Sequence, residues 1–359
     1  MGPRLTGLLG FPGRISALDG EARARADRLL DVRIVTGRTD PPPPLEPWLA
    51  EHFGSADRVR SQNVVKVTNL ATLEGTLFAP LRARRPVDGR AERSLADEIA
   101  ATEDDPFCSP ETGTPADTFG RIRGARMITG ANAALADAHH AILVFDTHDP
   151  LAFDASLVAD LFATGRAWAD RAAADDPSAA NYLLIWNCLW RAGGSIVHGH
   201  AQALLGAGLH YVHLERFHRS VLDYRSRHDR DLVADMVALH SDLGLSVEAG
   251  GVATLAHLTP VKERELLVVG QPGMDERDPV FTDAVSRALM AYRDRLGVTS
   301  FNLALWRAPL DGRWPEQPPM VRLVDRGDPF SRPSDIGAME LYGTPIVGGD
   351  PYEVVSQLR

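Results

Sequence analysis

Ser195-Ile-Val-His198-Gly-His200-Ala-Gln202 is the stretch of sequence from which the fold and the site can best be inferred. Its two imidazoles and its amide stand at every second position. Side chains alternate between the two faces of a β-strand, so a strand here would place His198, His200 and Gln202 on one face. Three polar side chains on one face are typical of a site, whereas a core face is apolar. We therefore expect a strand that carries a functional site.

Three interpretations of this motif are open from the residues alone. An imidazole whose second nitrogen is held by a partner can attack phosphorus, and a neighbouring amide can bind a phosphoryl oxygen. A His-x-His pair can instead hold a metal ion, because neutral imidazole is a common metal ligand. The third interpretation is a surface strand on which the two histidines have no functional role.

The composition indicates a soluble globular protein. The 359 residues are enough for one large or two ordinary domains, and 44% of them are hydrophobic and 24% charged. A net charge of -10 argues against nucleic acid or an anionic membrane as the main partner. Two cysteines, Cys108 and Cys188, cannot form a disulfide framework, which favours a cytoplasmic location. The sequence has no apolar run of about 20 residues and no convincing signal peptide, so we expect no membrane association.

The pattern of apolar residues predicts an α+β protein with an N-terminal extension and two similar halves. Residues 1-58 are expected to be the extension, with a charged helix over 17-35. Residues 59-215 and 216-359 each contain strands, a helix and further strands, which is typical of mostly antiparallel sheets flanked by helices. Strands are predicted over 64-68, 141-145, 182-186, 251-258, 265-269, 301-307 and 320-324, and helices over 156-173 and 279-296.

Several ordered segments resemble the galactose-1-phosphate uridylyltransferase branch of the histidine-triad superfamily. The motif at 195-202 resembles the active-site strand of that branch. The segment from Asn69 to Pro86 resembles its N-terminal signature, in which two arginines, here Arg82 and Arg85, contact substrate phosphate. Phe145-Asp-Thr-His148-Asp-Pro-Leu resembles the segment that carries a zinc ligand. The resemblance implies a fold of two histidine-triad-like halves.

The resemblance also implies a nucleotidyltransferase that works through a covalent intermediate. His200 would attack the α-phosphorus of a nucleoside diphosphate sugar and expel a sugar 1-phosphate, and a second phosphate acceptor would then take the nucleotide. Splitting the transfer in this way replaces one two-substrate displacement by two easier steps, so the kinetics should be ping-pong. Gln202 and Ser195 would bind non-bridging phosphoryl oxygens, and Arg82 and Arg85 would neutralise phosphate charge.

The same resemblance assigns residues to the substrate and predicts the assembly. Asn132 lies where the family places a nucleoside-contacting asparagine, and Asn187 lies at a family-like distance before the motif. Glu340 corresponds loosely to a glutamate that binds sugar hydroxyls. The expected partners are a nucleotide sugar and a sugar phosphate, and the chain is expected to form a homodimer because the family does. The resemblance extends from about residue 64 to residue 206 and more loosely to the C-terminus.

A zinc site is implied by four residues that follow the order of the family's ligands. Family members that bind structural zinc use two thiolates and two imidazoles, whereas this chain offers Asp105, Cys108, His148 and His198. Aspartate can ligate zinc through oxygen, although the loss of one thiolate should lower the affinity. The alternative is a vestigial site in which Cys108 is a small buried side chain. The segment 301-307 replaces the family's second His-x-His strand, so no second metal is expected.

Departures from the family leave the function partly open. Gly199 stands where the uridylyltransferases usually have proline, which loosens the backbone. His210, His213 and His218 follow the motif at irregular spacing and are expected to be surface histidines. Most departures fall on the acceptor side, so a phosphorylase that uses inorganic phosphate is the first alternative. A non-catalytic nucleotide- or metal-binding protein on the same scaffold is the second, and a hydrolase is the third.

Overall fold

The computed structural model describes residues 7-84, 94-331 and 336-359, apart from the side chains of residues 83 and 84. The strands are β1 (Leu30–Arg38), β2 (Ser61–Asn69), β3 (Gly75–Phe78), β4 (Met127–Ala131), β5 (His139–Phe145), β6 (Ala179–Cys188), β7 (His200–Ala207), β8 (Ser246–Ala249), β9 (Val252–Ala256), β10 (Glu263–Val269), β11 (Phe301–Trp306), β12 (Met320–Asp325) and β13 (Ile346–Val347). The helices are α1 (Phe11–Ser16), α2 (Gly20–Leu29), α3 (Glu46–Phe53), α4 (Ala56–Arg60), α5 (Leu95–Ala100), α6 (Pro110–Gly113), α7 (Ala155–Asp175), α8 (Val212–His228), α9 (Leu232–Asp242), α10 (Pro279–Met290) and α11 (Pro351–Ser356).

The larger sheet has nine strands in the order β4-β5-β7-β6-β11-β12-β10-β9-β8. All neighbouring strands in it pair antiparallel. The strands β4 to β7 lie on one side of its centre and β8 to β12 on the other, and β6 pairs with β11 where the two halves meet. This arrangement confirms the predicted α+β fold of two similar halves.

One face of this sheet is covered by α7, which packs against α10 as well as the strands. The α7 helix begins after Asp154, whose carboxylate accepts a hydrogen bond from the Leu157 N–H and so caps the helix. Leu157, Leu161 and Trp168 recur at helical spacing and are fully buried. Packing on this side therefore fixes the positions of the central strands.

The opposite face of the sheet is less covered at its centre. Along β11, Phe301, Leu303 and Leu305 are buried, whereas the alternate residues Asn302 and Ala304 are only partly buried. Because side chains alternate across a strand, Asn302 and Ala304 belong to the face away from α7 and α10. This partly open face also carries the site described below.

The four-stranded sheet, with the order β1-β2-β3-β13, includes a strand from the predicted N-terminal extension. The β1 strand pairs antiparallel with β2, from Leu30 opposite Asn69 to Arg38 opposite Ser61. The prediction of one helix over 17-35 is therefore wrong, because α2 ends at Leu29. The alternating, β-branched sequence after Leu29 favours a strand over a longer helix.

Strand pairing crosses both of the predicted domain boundaries. The β1–β2 pair spans residue 58, and the β6–β11 pair spans residue 215. The division into 1-58, 59-215 and 216-359 stays a prediction. In the described part of the chain, every helix is too short or too polar to span a bilayer. The strands and helices predicted outside 17-35 and the motif correspond to β2, β5, β6, β9, β10, β11, β12, α7 and α10, the last followed by a π-helical turn at Ala291–Arg295.

Candidate active site and metal centre

The motif residues 195-199 form a loop, and β7 begins only at His200. The prediction of a single strand through the motif is therefore wrong for His198, which lies in the loop. His200 and Gln202 are two residues apart on β7 and share one of its faces. His198 and His200 therefore lie in different structural elements, His198 in the loop and His200 at the start of β7.

Gly199 allows the loop to lie directly against the end of β5. A Cβ atom at this position would stand 2.8 Å from the Phe145 ring and 3.0 Å from the Thr147 carbonyl oxygen. The Gly199 N–H donates to the His148 carbonyl oxygen at 3.0 Å, and the Phe145 N–H donates to the Gly199 carbonyl oxygen at 2.9 Å. These contacts bring the loop that carries His198 beside His148.

The tautomer of His200 is fixed by the loop before it. Its Nδ1 lies 2.8 Å from the His198 carbonyl oxygen, which can only accept, so Nδ1 carries the proton and Nε2 keeps a lone pair. His200 is 6% exposed, and its ring meets the Phe107 ring edge-on with the ring centres 5.0 Å apart. Burial lowers the pKa of His200 and favours the neutral imidazole. The geometry thus presents a neutral, directed nucleophilic nitrogen.

Gln202 is held by a second buried histidine. The His140 Nε2 atom lies 3.0 Å from Gln202 Oε1, and the Ala136 N–H donates to His140 Nδ1 at 3.1 Å. Asn132 Nδ2 lies 3.3 Å from the same His140 Nε2, and Asn132 Oδ1 accepts from the Ala134 N–H at 2.9 Å. The predicted nucleoside-contacting asparagine therefore lies next to the Gln202 partner.

Asn187 belongs to the same face of the sheet as His200 and Gln202. Ile185 pairs with Gln202, and continuing this register by two residues places Asn187 opposite His200. Asn302 Nδ2 donates to Asn187 Oδ1 at 2.7 Å and to the Ala192 carbonyl oxygen at 2.8 Å. Asn187, which the family resemblance implies as a site residue, thus joins a hydrogen-bonded group at the centre of the sheet.

Four side chains next to this group could hold a metal ion. The potential ligand atoms of Asp105, Cys108, His148 and His198 all lie within 4.8 Å of one another. Cys108 Sγ lies 3.4 Å from Nδ1 of His148 and 3.4 Å from Nδ1 of His198. The two Nδ1 atoms are 3.2 Å apart. A tetrahedral zinc site requires ligand atoms about 3.3–3.6 Å apart, so these distances match it.

The hydrogen bonds of the two imidazoles also fit a cation. His148 Nε2 lies 3.0 Å from the Ile99 carbonyl oxygen, and His198 Nε2 lies 3.0 Å from the Phe145 carbonyl oxygen. Each Nε2 therefore carries the proton, and each Nδ1 turns a lone pair toward the other. The single thiol proton of Cys108 can serve only one of these lone pairs, whereas a metal ion accepts both.

Local structure places the other two side chains of this group. Asp105 precedes a 3-10 turn at Pro106–Cys108, and its Oδ1 accepts from the Phe107 N–H at 2.8 Å. This capped turn directs Cys108 toward the histidines. Asp105 Oδ2 also accepts from the His198 N–H at 3.3 Å. Asp105 therefore contacts the motif loop directly.

The other predicted site residues occupy varied positions. Ser195 is exposed on the motif loop, and Arg82 is exposed on a 3-10 turn at Pro80–Arg84. Arg85 lies outside the described residues. Glu340 Oε1 pairs with Lys262 Nζ at 2.6 Å. The roles assigned to these four residues stay predictions.

The expectation of surface histidines after the motif is wrong for two of the three. His210 and His218 are buried and stack on the Trp314 ring at 5.3 Å and 4.1 Å, whereas His213 is exposed. Trp314 lies far from both histidines in the sequence, so local spacing gives no sign of this stack.

Three residues of the hydrogen-bonded group are absent from the sequence-based prediction. His140 directly precedes the apolar run 141-145, and no polar residue two positions away forms a motif with it. Arg326 follows the end of a strand and belongs to no motif. Asn302 carries a weak signal, because it is a polar residue in the otherwise apolar run 301-306. Only the strand register brings these residues to Gln202 and Asn187.

Comparison with known proteins identifies the fold. No protein-family model and no curated protein match the sequence. A structure of an ADP-glucose phosphorylase from Arabidopsis thaliana with bound ADP-glucose is similar, with 14% identity, a TM-score of 0.61, and coverage of 80% of this chain and 96% of that chain. The chain has the fold of the uridylyltransferases.

Two further structures support this statement. A GalT-like protein from Arabidopsis thaliana has 14% identity, a TM-score of 0.58, and coverage of 71% of this chain and 91% of that chain. A uridylyltransferase has 14% identity, a TM-score of 0.56, and coverage of 82% of this chain and 97% of that chain. The resemblance to the galactose-1-phosphate uridylyltransferases is thereby confirmed as one of fold, at low sequence identity.

Proposed function

We propose that the chain transfers a nucleoside monophosphate from a nucleotide sugar to a sugar 1-phosphate, through a covalent intermediate on His200. The observation that carries the proposal is the orientation of this imidazole. Its Nδ1–H donates to the His198 carbonyl oxygen at 2.8 Å, so the Nε2 lone pair is available for attack. A histidine nucleophile needs this tautomer and this fixed orientation.

The transfer takes place in two displacements. In the first, Nε2 bonds to the α-phosphorus while the bond to the bridging oxygen breaks, and the sugar 1-phosphate leaves with the electron pair. In the second, an acceptor phosphate oxygen attacks the same phosphorus, the N–P bond breaks, and its electrons return to Nε2. The Nδ1–H bond to the His198 carbonyl oxygen stabilises the positive charge of the nucleotidyl-imidazole between the two steps.

Hydrogen-bond donors near His200 are proposed to bind the transferred phosphoryl group. Gln202 lies on the same strand face, and Asn187 belongs to the neighbouring strand. Donors already in place where charge develops lower the barrier without reorganisation. The other proposed contacts are Ser195, Arg82 and Arg85 to phosphate, Asn132 to the nucleoside and Glu340 to sugar hydroxyls.

Zinc is the metal that we propose for the four-residue group. Asp105, Cys108, His148 and His198 would hold it, and its chemistry would be structural, because it would cross-link the motif loop to two other segments. These ligands would also keep the His198 carbonyl oxygen in place for His200. A homodimer and a cytoplasmic location are further proposals that rest on the family resemblance and the cysteine content.

Phosphorolysis is the second candidate function, with inorganic phosphate as the acceptor. Glu340 is the candidate for binding the hydroxyl groups of an acceptor sugar, but its Oε1 already pairs with Lys262 Nζ at 2.6 Å. This pairing favours an acceptor without a sugar, such as inorganic phosphate. The similar structure from Arabidopsis thaliana also belongs to a phosphorylase. Both functions share the first displacement and differ only in the acceptor.

The proposal is tested by intact-mass spectrometry after incubation with UDP-, ADP- and GDP-sugars. We expect wild-type protein to gain the mass of one nucleoside monophosphate with at least one base, and the H200A variant to gain none. An adduct that survives in H200A would place the covalent bond on another residue. The absence of an adduct with every nucleotide sugar would favour a non-catalytic binding protein.

The acceptor is identified by chasing the purified adduct. Release as a nucleotide sugar by a sugar 1-phosphate supports transfer, whereas release as a nucleoside diphosphate by inorganic phosphate supports phosphorolysis. Release as a nucleoside monophosphate in buffer alone would show a hydrolase instead. Each product has a different mass, so one chromatographic run separates the three outcomes.

A further inference from the structure

We propose that His140 and the Asn302–Arg326 pair are positioning residues that turn the NH2 groups of Gln202 and Asn187 toward the phosphoryl group on His200. The inference rests on the proposed function and adds the reason why the site takes an anion. Two hydrogen-bond relays carry it, and each begins at a group that can only donate.

The first relay begins at the Ala136 N–H and ends at Gln202. A backbone N–H can only donate, so His140 Nδ1, 3.1 Å away, must be an acceptor. The proton of the neutral ring is then on Nε2, and the Gln202 atom 3.0 Å from it must be the oxygen. Asn132 Nδ2 lies 3.3 Å from the same Nε2, but an NH2 group cannot accept the Nε2 proton, so this proton goes to Gln202.

The second relay begins at Arg326 and ends at Asn187. A guanidinium has only donors, so the Asn302 atom 2.5 Å from Arg326 Nη1 must be Oδ1. Asn302 therefore turns its Nδ2 toward Asn187, and the Asn187 atom at 2.7 Å must be an oxygen. The Ala192 carbonyl oxygen accepts from the same Nδ2 at 2.8 Å, which excludes a flipped amide.

Both relays leave an NH2 group without an internal partner. Neither Gln202 Nε2 nor Asn187 Nδ2 has a hydrogen-bond partner within the ranges 7-84, 94-331 and 336-359. The two residues flank His200 on one sheet face, because Gln202 follows it on β7 and Asn187 is placed opposite it by the register. The nucleophile therefore has one oriented donor next to it along its own strand and another across the strand pair.

Locked donors decide which ligand the site accepts. A free carboxamide can present either oxygen or NH2, but these two can present only NH2 without breaking a relay. An NH2 group binds a phosphoryl oxygen and repels a cation. The relays thus select the anionic phosphoryl group and remove the cost of orienting the amides when it binds.

A double-mutant cycle tests the first relay. The rate of adduct formation is measured for H140F, Q202A and the double variant, with the nucleotide sugar that gives the adduct with wild-type protein. We expect H140F to lose about tenfold, the value of one hydrogen bond, and to lose nothing further once Gln202 is alanine. A loss of the same size in both backgrounds would show that His140 acts only through the fold.

His139 provides the matched control for this cycle. It is the chain neighbour of His140, and its Nε2 pairs instead with Asp176 at 3.2 Å. The H139F variant should keep the wild-type rate within about twofold. An equal loss in H139F and H140F would overturn the assignment of His140.

The second relay is tested by N302D, which keeps an acceptor for Arg326 but removes the donor to Asn187. Asn187 would then turn its NH2 toward the new carboxylate, so the rate of adduct formation should fall about tenfold. In an N187A background, N302D should cause no further fall in this rate. N302A serves as the second variant if N302D destabilises the fold. An unchanged rate in the folded variants would refute this relay.

The relays also predict a result that needs no substrate. Nitrogen-15 spectra of the histidine rings should show His140 as the Nε2–H tautomer, identified by the resonances missing in H140F. The Nδ1–H tautomer would overturn the first relay even in a protein that forms an adduct. A protein that forms no adduct but shows the Nε2–H tautomer would refute the proposed function and retain the His140 relay.

Discussion

The two halves of the large sheet carry different chemistry at mirrored positions. Ile185 on β6 pairs with both Gln202 on β7 and Ala304 on β11, and Ala304 pairs with Arg322 on β12. Gln202 and Arg322 are therefore equivalent about the centre of the sheet. Gln202 keeps a free NH2 group within the described part of the chain, whereas Arg322 is bound by carboxylates on two sides.

The Arg322 cluster acts in packing. Arg322 lies 2.6 Å from Glu265 on β10 and 2.7 Å from Glu74, and its guanidinium stacks over the Trp306 ring at 4.6 Å. Glu74 lies between β2 and β3, so the cluster joins the two sheets. Burial is the largest single influence and raises the pKa of Glu74, but the interactions with Arg322 and His257 together outweigh it and hold that pKa well below its usual range.

The mirrored partner of His200 shows the same difference. Continuing the register places Asn187 opposite His200 on one side of the centre, and Asn302 pairs with Val324 on the other. A valine has no lone pair with which to attack phosphorus. The comparison teaches that one half of a repeated architecture leaves amide NH2 groups without a partner among the described residues, while the other half pairs its buried arginine with two carboxylates.

The largest effect is expected from H200A, compared with V324A at the mirrored position. Loss of the proposed nucleophile should reduce the proposed nucleotidyl transfer by roughly 10⁵- to 10⁶-fold. V324A should keep the wild-type rate within a few-fold and lose about 1–2 kcal/mol of unfolding free energy. Steady-state rates and denaturant melts of both variants measure this. A large loss of rate in V324A would show that both halves take part in the chemistry.

The next effect is on stability, from R322M. Removing the buried guanidinium leaves Glu74 and Glu265 without their partner, which should cost about 3–5 kcal/mol of unfolding free energy. R219M is the matched control, because Arg219 pairs with Glu215 on the exposed side of α8 and should cost less than about 1 kcal/mol. Urea melts compare the two. Equal costs would mean that the Arg322 cluster contributes no more than a surface pair.

A smaller effect, on rate and not on stability, is expected from Q202A. Removing one donor that we propose to bind the transferred phosphoryl group should lower the rate of adduct formation by about 10²- to 10³-fold. The unfolding free energy should change by less than about 1 kcal/mol, because Gln202 is only half-buried. If Q202A instead lowered the unfolding free energy and kept the wild-type rate of adduct formation, Gln202 would act in stability, as Arg322 does.

The contrast also shows what the sequence can predict. The motif residues His200 and Gln202 are recognisable because they lie within one short segment of fixed spacing. The metal group is recognisable only because its segments resemble those of a known family. The apolar runs at 141-145 and 182-186 predict the strands that carry them, because buried central strands leave a strong local pattern.

Contacts between side chains on different strands cannot be predicted from these local sequence patterns. His140 meets Gln202 only because β5 pairs with β7, and Asn302 meets Asn187 only because β6 pairs with β11. The strand from Leu30 to Arg38 is missed for a related reason, since its partner begins more than twenty residues later. His198 is misplaced because Gly199 lets the backbone leave the strand, which alternation alone does not reveal.

The smallest effect concerns the metal group, through D105C. A second thiolate in place of the carboxylate should raise the affinity for zinc on the order of tenfold, because thiolate is the softer ligand. Competition with a chromophoric chelator measures the affinity. The rate of adduct formation should stay within a few-fold of wild type, since His200 keeps its bond to the His198 carbonyl oxygen.

D104C is the matched control for this variant. Asp104 is the chain neighbour of Asp105, but it is not among the four residues whose ligand atoms converge. A cysteine at 104 should therefore leave the zinc affinity unchanged. An equal increase in zinc affinity in D104C and D105C would show that any added thiol near the loop binds zinc. That result would refute the assignment of Asp105 as the fourth ligand. Tightening in D105C alone would show that the convergence of these four side chains, and not the mere number of thiols, sets the affinity.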